Sequence, residues 1–410
     1  MWSLASAPVK FIAIESFRRL PFILLFTVVS AIVIRTALLL DSNKHVFNHK
    51  PGRCRLHEEL ADGGAAYFEN VEPLRYLFAS DGFKRMTNST YNAGVYFTEY
   101  PKSNAQKQPK QQFKQSAAEK PQQDEAFIKA MGKLKFHRLS ISGSDELLKD
   151  FTPMGIGSYV EGSISQKKFR LYLYIINARS QQPNRVEVFL FKPKEQRLLH
   201  QFTVEDPSFT SLSDIVVFGA GRFLVSNVFR WSNRWLQFIE FITQREYGSL
   251  LMYDGKKVVS LASAQTPNGL FWDQKSRRLY VALTNAETIK IFNVRQDMAL
   301  VEQTQINLMS GPDQLYFQAS TNEIWLTSHP ITHQLLNVVF SGFQAPSASH
   351  VLRVRFQGNN MDSWVITEPL ANNGTMLSTA SAIALIDDYL LVGSRLAKTI
   401  SCRLNDPLYA

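Results

Sequence analysis

From about residue 140 onward, short apolar segments alternate with turns along most of the chain. Segments such as RLYLYIINA, VEVFLFK and GRFLVSNV are either continuously apolar or alternate apolar and polar residues, and each is followed by turn-forming residues. Runs of this length, rich in β-branched and aromatic residues, predict β-strands rather than helices. The pattern therefore indicates an all-β fold for the larger part of the chain.

One unit recurs in this region, an apolar strand that leads through a turn into a second apolar strand. It is clearest in GLFWDQKSRRLYVAL, QLYFQASTNEIWLTS and AIALIDDYLLVGS. The second strands lie near Leu224, Tyr280, Trp325 and Leu391, at spacings of 56, 45 and 66 residues. Four-stranded propeller blades repeat about every 40–50 residues, with insertions. We therefore expect a β-propeller over residues 54–410, which leave room for six blades.

One segment breaks the β pattern. Apolar residues in WSNRWLQFIEFITQ recur at helical spacing, and they are Trp231, Trp235, Phe238, Ile239 and Ile242. This pattern predicts a helix inserted on the top of the propeller. The helix either packs on the tops of its own blade or faces a membrane or a partner, and its strongly apolar stripe makes it our candidate contact surface.

The segment 20–40 is apolar enough to cross a membrane. It reads LPFILLFTVVSAIVIRTALLL, and its 21 residues span about 31 Å as a helix, close to the thickness of a bilayer core. Its only charge, Arg35, lies near the end, where a long side chain can reach the interface. A cleaved signal peptide and a buried soluble helix are the alternatives. We favour an uncleaved signal anchor because Leu38, Leu39 and Leu40 stand where a cleavage site would need small residues.

Basic residues and sequons set the expected topology. Lys10, Arg18 and Arg19 precede the apolar segment, which favours a cytosolic N-terminus. Because basic residues also follow the segment, the distribution of positive charge by itself is weak evidence for this orientation. The sequons at Asn88 and Asn373 favour a luminal or extracellular body. We predict a cytosolic tail (1–19), an anchor (20–40), a polar stalk (41–53) and a luminal propeller (54–410).

The net charge of +10 is concentrated in one part of the chain. Between Pro101 and Ser140 there are nine Lys or Arg residues against three Asp or Glu. Residues 101–125 are rich in Gln, Lys, Ser and Pro, a composition that cannot bury enough apolar surface to fold, so we predict a disordered basic insertion. This segment lacks the interleaved aromatic residues of nucleic-acid grooves. No GxSxG, HExxH, phosphate-loop or CxxC motif is present.

The two cysteines bracket the predicted propeller. Cys54 lies at its start and Cys402 near its end. In an oxidising compartment such a pair would join the first strand to the last blade, while two free thiols are the alternative.

Six short motifs, in order along nearly the whole chain, resemble those of the paraoxonases, which are six-bladed propeller lactonases and arylesterases. The motifs are PGRCR at 51–55, SLSDIV from Ser211, PNGL from Pro267, EIWLTSHP from Glu323, NGT from Asn373 and ISC from Ile400. The resemblance implies the same propeller, a retained hydrophobic N-terminus and a closing disulfide between the two cysteines.

The resemblance also implies two calcium sites, both altered here. The positions that match the catalytic site are Glu69, Ser213, Asn268, Asp313 and Gln314. Those that match the structural site are Asn70, Asp214 and the carbonyl of Ile156. Calcium prefers six to eight oxygens, several of them anionic, so the replacement of amide by hydroxyl at Ser213 and of carboxylate by amide at Asn70 should weaken both sites.

The family's catalytic histidine pair is absent. Met154 and Ala178 stand at the two positions, and neither side chain can accept a proton from water. His329 matches a family histidine near the tunnel and is interpreted as a relic or a core residue. The resemblance is greatest to nematode members that assist the assembly of degenerin/epithelial sodium channels in the endoplasmic reticulum. It implies a non-catalytic membrane protein whose partner is a channel subunit. The implied location is the membrane of the endoplasmic reticulum, with the plasma membrane as a second location. The alternative function is that of a calcium-dependent lactonase or arylesterase.

Overall fold

The computed structural model describes residues 7–86, 88–100, 129, 134–179, 182–341, 346–358 and 361–404. Within these ranges, 25 strands form six sheets. The innermost strands of successive sheets contact one another in a closed ring, so that the last sheet meets the first. The predicted six-bladed propeller is therefore confirmed. The basic insertion predicted over 101–125 lies outside the described residues.

Each blade is built from strands that follow one another in the chain, listed here from the inner strand outward. Blade 1 comprises β2 (Tyr67–Val71), β3 (Tyr76–Ser80), β4 (Val95–Glu99) and β5 (His137–Arg138). Blade 2 comprises β7 (Pro153–Ser163), β8 (Lys168–Asn177), β9 (Arg185–Lys192) and β10 (Arg197–Glu205), with β6 (Ser140–Ser142) on its outer edge. Blade 3 comprises β11 (Leu212–Gly219), β12 (Arg222–Asn227), β13 (Gly248–Tyr253) and β14 (Val258–Ala264).

Blades 4 to 6 follow the same plan. Blade 4 comprises β15 (Pro267–Asp273), β16 (Arg278–Leu283), β17 (Thr288–Val294) and β18 (Leu300–Asn307). Blade 5 comprises β19 (Gly311–Gln318), β20 (Glu323–His329), β21 (Ser349–Phe356) and β22 (Trp364–Asn372). Blade 6 comprises β23 (Ala380–Ile386), β24 (Tyr389–Ser394), β25 (Thr399–Arg403) and, from the other end of the chain, β1 (Cys54–Leu56). The four second strands predicted from the repeat are β12, β16, β20 and β24.

The ring is closed by the two ends of the propeller. β1 pairs antiparallel with β25, and this register places Cys54 directly opposite Cys402. The two cysteines form a disulfide across 348 residues of sequence, as predicted, and the alternative of free thiols is wrong. Closing so long a loop removes conformational freedom mainly from the unfolded chain.

Four α-helices accompany the strands among the described residues. They are α1 (Ala7–Leu39), α2 (Asp145–Asp150), α3 (Arg234–Thr243) and α4 (Thr332–Ser341). α3 lies in the loop between β12 and β13, where the sequence predicts a helix, and α4 lies between β20 and β21. Asn233 caps α3 by accepting hydrogen bonds from the amides of Trp235 and Leu236. In α1, Arg19–Leu39 form a helix long and apolar enough to cross a membrane, and α1 begins within the segment predicted as a tail.

The segment predicted as a stalk lies against the propeller. Immediately after α1, the carboxylate of Asp41 accepts hydrogen bonds from the amide and the hydroxyl of Thr332 at the start of α4. Leu40 accepts a 3.1 Å hydrogen bond from the amide of His333. Further along, His49 pairs with Ala371 of blade 5 in a β-bridge. The end of α1 is thus attached to the face of the propeller that carries α3 and α4.

Candidate functional site

A repeated irregularity in the inner strands directs polar side chains into the tunnel. In blades 2 to 5 the regular pairing between the inner strand and the next strand is interrupted once. At each interruption, two unpaired residues of the inner strand stand opposite one unpaired residue of the next strand. The skipped residues are Met154 and Gly155, Ser213 and Asp214, Asn268 and Gly269, and Asp313 and Gln314. β-Bulges of this kind re-aim side chains and are frequent beside functional sites. The bulges therefore explain why Ser213, Asn268 and Asp313 converge on the axis.

Glycines inside two of these bulges allow neighbouring inner strands to approach closely. A Cβ at Gly269 would lie 2.1 Å from the carbonyl oxygen of Asp313, and one at Gly155 would lie 2.5 Å from that of Ser213. Such contacts are too short for any side chain, so glycine is needed at both positions. They bring the bulges of adjacent blades together.

Five side chains form a polar cluster at the inner end of the tunnel, here called the tunnel cluster: Tyr67, Ser213, Asn268, Asp313 and Arg395. The Tyr67 hydroxyl bonds Ser213 and lies 3.3 Å from the side-chain oxygen of Asn268, which also accepts a hydrogen bond from Ser213. Burial raises the pKa of Tyr67 above its ordinary value, so the phenol is neutral at physiological pH. The cluster joins blades 1, 3, 4, 5 and 6.

Arg395 supplies the positive charge of the tunnel cluster. It follows β24 in the chain, and its Nη2 donates to Asp313 Oδ1 at 2.6 Å and lies 3.3 Å from the Tyr67 hydroxyl and 3.4 Å from Asn268 Oδ1. Its guanidinium carbon lies 5.8 Å from the ring centre of Tyr67 and 5.3 Å from that of Phe83. Burial disfavours the charge, but Asp313 more than offsets this and raises the pKa of Arg395 above its ordinary value.

His329 contacts the same carboxylate from the other side. Its Nε2 lies 2.9 Å from Asp313 Oδ2, and both residues are buried. The other ring nitrogen, Nδ1, is buried without a hydrogen-bond partner. Asp313 thus holds an arginine on one oxygen and a histidine on the other.

Two of the residues matched to the catalytic calcium site lie elsewhere. Glu69 is two residues beyond Tyr67 in β2 and accepts a 2.6 Å hydrogen bond from Ser158 in blade 2. Burial raises the pKa of Glu69 to about 7. The amide group of Gln314 bonds the backbone of Phe68 and Ile383. In blade 1 the side chain that reaches Ser213 and Asn268 is therefore that of Tyr67, whereas the assignment of Glu69 to a calcium site stays a prediction.

The residues matched to the structural calcium site are only partly brought together. Gly155, the residue before Ile156, lies against Asp214. The two carboxylate oxygens of Asp214 accept hydrogen bonds from the amides of Ile215 and Leu270. Burial raises the pKa of Asp214 to about 8. Asn70 points away, since its side chain bonds Tyr100 and Leu385.

Calcium does not fit the tunnel cluster as it stands. The oxygens of Asn268, Asp313 and Tyr67 surround the guanidinium of Arg395, which lies where a metal bridging the same oxygens would have to lie. A cation that needs six to eight oxygens cannot share this space with five N–H donors. No three His, Cys, Asp or Glu side chains in the described part of the chain form a group that could hold a metal ion.

Above the tunnel cluster lies a cavity of about 650 Å³. Met154 and Ala178, which stand at the family's histidine positions, line it together with Asp313, His329 and Arg395. Both Met154 and Ala178 are buried in the apolar core cluster around Tyr67 and Phe83. The cavity floor thus offers a thioether and a methyl group where the family implies two bases.

Helices α3 and α4 form the upper part of this cavity. Apolar residues of both helices line it, and they are Phe241, Leu335, Leu336, Val339 and Phe340. The two helices touch through Phe238 and Phe340, whose ring centres are 5.6 Å apart. Of the predicted stripe, Phe238 and Ile242 are half-buried, whereas Trp231, Trp235 and Ile239 are exposed, the last two by 76% and 53%. The outer face of α3 is therefore apolar and is not covered by any of the residues that the structure describes.

α3 also lies beside the end of α1. A second cavity is lined by Ile34, Arg35 and Leu38 of α1 together with Gln244, which caps α3, and Glu287. Lys44 connects the two sides, since its Nζ lies 2.8 Å from Asp41 and 3.4 Å from Glu287. The exposed face of α3 and the cavity mouth therefore lie at the end of the propeller where α1 is attached.

The two sequons lie on the surface. Asn88 and Asn373 are exposed, and each side-chain oxygen accepts hydrogen bonds from the threonine two residues later. Arg395, Tyr67 and α4 were not singled out from the sequence. The amphipathic segment THQLLNVVFS could have revealed α4, whereas a lone arginine in a loop carries no comparable signal.

Comparison with known proteins identifies the family. Residues 117–404 match the family model described as Arylesterase. The chain is 30% identical over 385 residues to "Mechanosensory abnormality protein 6" of Caenorhabditis elegans, covering 92% of this chain and 93% of that protein. It is 27% identical over 258 residues to human "Serum paraoxonase/arylesterase 2", covering 63% and 70% of the two chains, and 28% identical over 268 residues to human "Serum paraoxonase/lactonase 3", covering 65% and 72%. The propeller and its closing disulfide, together with these matches, establish that the chain belongs to the arylesterase family, which includes the paraoxonases.

Proposed function

We propose that this protein is a membrane-anchored accessory protein without hydrolase activity that assists the assembly or trafficking of an ion channel. The observation that carries the proposal is the chemistry of the cavity floor. Met154 and Ala178 replace the two bases that the family resemblance implies, and neither can activate water. Arg395 supports the same conclusion because it already neutralises Asp313, a carboxylate that a catalytic metal would need.

The channel is proposed to be of the degenerin/epithelial sodium channel class, acting in mechanosensation. The support is the relative named "Mechanosensory abnormality protein 6", which matches over nearly the whole chain. The proposed site of action is the endoplasmic reticulum membrane, with the N-terminus cytosolic and the propeller luminal. In this topology Asn88 and Asn373 are accessible to glycosylation, and a mobility change on enzymatic deglycosylation tests it.

The exposed face of α3 is the proposed contact surface. It lies beside α1, so an uncleaved anchor would hold it close to the membrane surface. A partner that is itself embedded in the membrane could reach this face without leaving the bilayer. Exposed apolar residues of this size are typical of surfaces that another protein or a lipid covers.

The test is to express the full-length protein with a channel of this class and measure channel at the cell surface. Trp235→Ser combined with Ile239→Ser is expected to reduce surface channel towards the level seen without the protein. Val301→Ser combined with Val365→Ser is the matched control, since both valines are exposed on outer strands. Unchanged delivery by the α3 variant would remove this face from the proposal.

Hydrolysis assays separately test the proposed lack of hydrolase activity. The purified full-length protein in detergent is expected to release no product from lactones or aryl esters above background, with or without excess calcium. Turnover that a chelator abolishes, and that Asp313→Asn also abolishes, would instead establish the calcium-dependent lactonase or arylesterase alternative. Calcium would then have to displace Arg395 from Asp313.

A further inference from the structure

Arg395 is built into the propeller axis rather than placed at its rim. Only 11% of its side chain is exposed, although it comes from a loop after β24. Its guanidinium lies near the rings of Tyr67 and Phe83 and has three oxygen atoms within 3.4 Å of Nη2. A flexible surface arginine would not show this combination of aromatic neighbours and converging acceptors.

The three acceptors come from three different blades. Tyr67 belongs to blade 1, Asn268 to blade 4 and Asp313 to blade 5, while Arg395 itself comes from blade 6. Neutral oxygens and one carboxylate arranged around a single point form the kind of set that binds a cation. Here the cation is part of the chain.

Asp313 shows why a cation is needed at this point. Its side chain is buried, and an isolated carboxylate in such a place is strongly disfavoured. Arg395 contacts one oxygen and His329 the other. These two contacts leave the carboxylate neutralised and its lone pairs directed at donors from its own chain.

We propose that the guanidinium of Arg395 takes the place of a divalent cation at the inner end of the tunnel, so that the blades are held together there without a metal ion. The inference goes beyond the proposed function, because it concerns what stabilises the axis and holds whether or not the protein serves a channel. Removing the guanidinium while keeping Asp313 should open a cation site among oxygens that the propeller already brings together.

The experiment compares thermal unfolding of full-length variants in detergent, with excess calcium and with chelator, and measures calcium binding by titration calorimetry. Wild-type protein is expected to show no calcium response that depends on Asp313. Arg395→Val is expected to unfold at lower temperature in chelator and to regain about 3 °C or more in excess calcium, because a ligand that binds only the folded state stabilises it. Adding Asp313→Asn to Arg395→Val should abolish that gain.

The Asp214→Asn variant distinguishes calcium binding at the tunnel cluster from calcium binding near Asp214 and Glu69, where further carboxylates are buried. A wild-type calcium response that Asp214→Asn removes and Asp313→Asn leaves intact places the ion at Asp214, and supports a tunnel cluster closed to metal. A wild-type response removed by Asp313→Asn would overturn the proposal. The proposal would also be overturned if the Arg395→Val variant folds and is destabilised but shows no calcium response.

If Arg395→Val does not fold, Arg395→Lys provides the second variant. Lysine keeps the positive charge but loses the fork of donors that reaches several acceptors at once. We expect it to unfold at a lower temperature than wild type, with no gain in calcium, because the retained charge still excludes the ion. Full recovery of Arg395→Lys in calcium would contradict the proposal.

Discussion

The inner end of the tunnel and the mouth of the cavity beside α1 differ in what their side chains contact. In the tunnel cluster, Asp313 and Arg395 neutralise each other and, together with Tyr67 and Asn268, join four blades. At the mouth, Trp235 and Ile239 of α3 present apolar surface that nothing in the described chain covers. A buried charge must be neutralised for the fold to be stable, whereas an exposed apolar face can accommodate another molecule. From this difference we predict a stabilising role for the inner end and an interaction with another molecule at the mouth.

The largest effect is expected from breaking the ion pair at the inner end. Arg395→Val leaves Asp313 buried with His329 as its remaining partner, and loss of one member of a buried pair costs about 3–5 kcal/mol. Chemical denaturation in chelator measures this loss. The control is Arg222→Val in the exposed first residue of β12, expected to change the unfolding free energy by about 0.5 kcal/mol or less. Equal stability of the two variants would show that the tunnel cluster is not a stabilising element.

A pH-dependent effect of intermediate size is expected at the ring closure, which is separate from both regions. His57 is buried with Nε2 3.1 Å from the Ser401 hydroxyl, and burial lowers its pKa to about 4. The unfolded chain, with an ordinary histidine pKa near 6.5, binds the proton first as pH falls, so the unfolding free energy decreases between about pH 6.5 and 4. The full contribution of this shift is up to about 3 kcal/mol.

Comparison of wild type with His57→Gln isolates this contribution, because both proteins share all other titrating groups. The variant is expected to lose less stability than wild type between pH 7 and pH 4 in denaturant unfolding. Parallel pH profiles would exclude His57 as the source.

The smallest effect on stability is expected at the mouth. Trp235→Ser and Ile239→Ser on the outer face of α3 should each change the unfolding free energy by about 0.5 kcal/mol or less, since these side chains are mostly exposed. Phe241→Ala on the inner face of the same helix should cost about 3 kcal/mol, because Phe241 is buried above the cavity. A large loss of stability from the outer variants would mean that this face packs within the protein and is not an interaction surface.

The strand–turn–strand repeat, together with the resemblance to the paraoxonases, predicted the six blades. The strand–turn–strand repeat around Leu224, Tyr280, Trp325 and Leu391 placed the second strands of blades 3 to 6 correctly, because each blade is a local unit whose apolar faces must be buried. The stripe from Trp231 to Ile242 likewise predicted α3. The disulfide between Cys54 and Cys402 followed from the closure that such a ring requires.

The tunnel cluster was predicted only in part. Ser213, Asn268 and Asp313 were singled out through the family resemblance, whereas Tyr67, two residues before Glu69 in β2, was not. Along a strand of alternating side chains, a shift of two residues keeps the same face and moves a side chain about 7 Å along the axis. Motif matching therefore could not show that Tyr67, on the same face of β2 as Glu69, bonds Ser213 while Glu69 bonds Ser158.

By itself, the sequence determined the propeller, its closure, the apolar helix at the N-terminus and the absence of the histidine pair, since each of these depends on local pattern or on residue identity. Only the tertiary structure decided that Arg395 fills the tunnel cluster and that Asp41 joins α1 to α4. Arg395 is 82 residues from Asp313, and Asp41 is 291 residues from Thr332. Pairings across such separations arise when the ring of blades closes, and no local pattern records which loop then points to the axis.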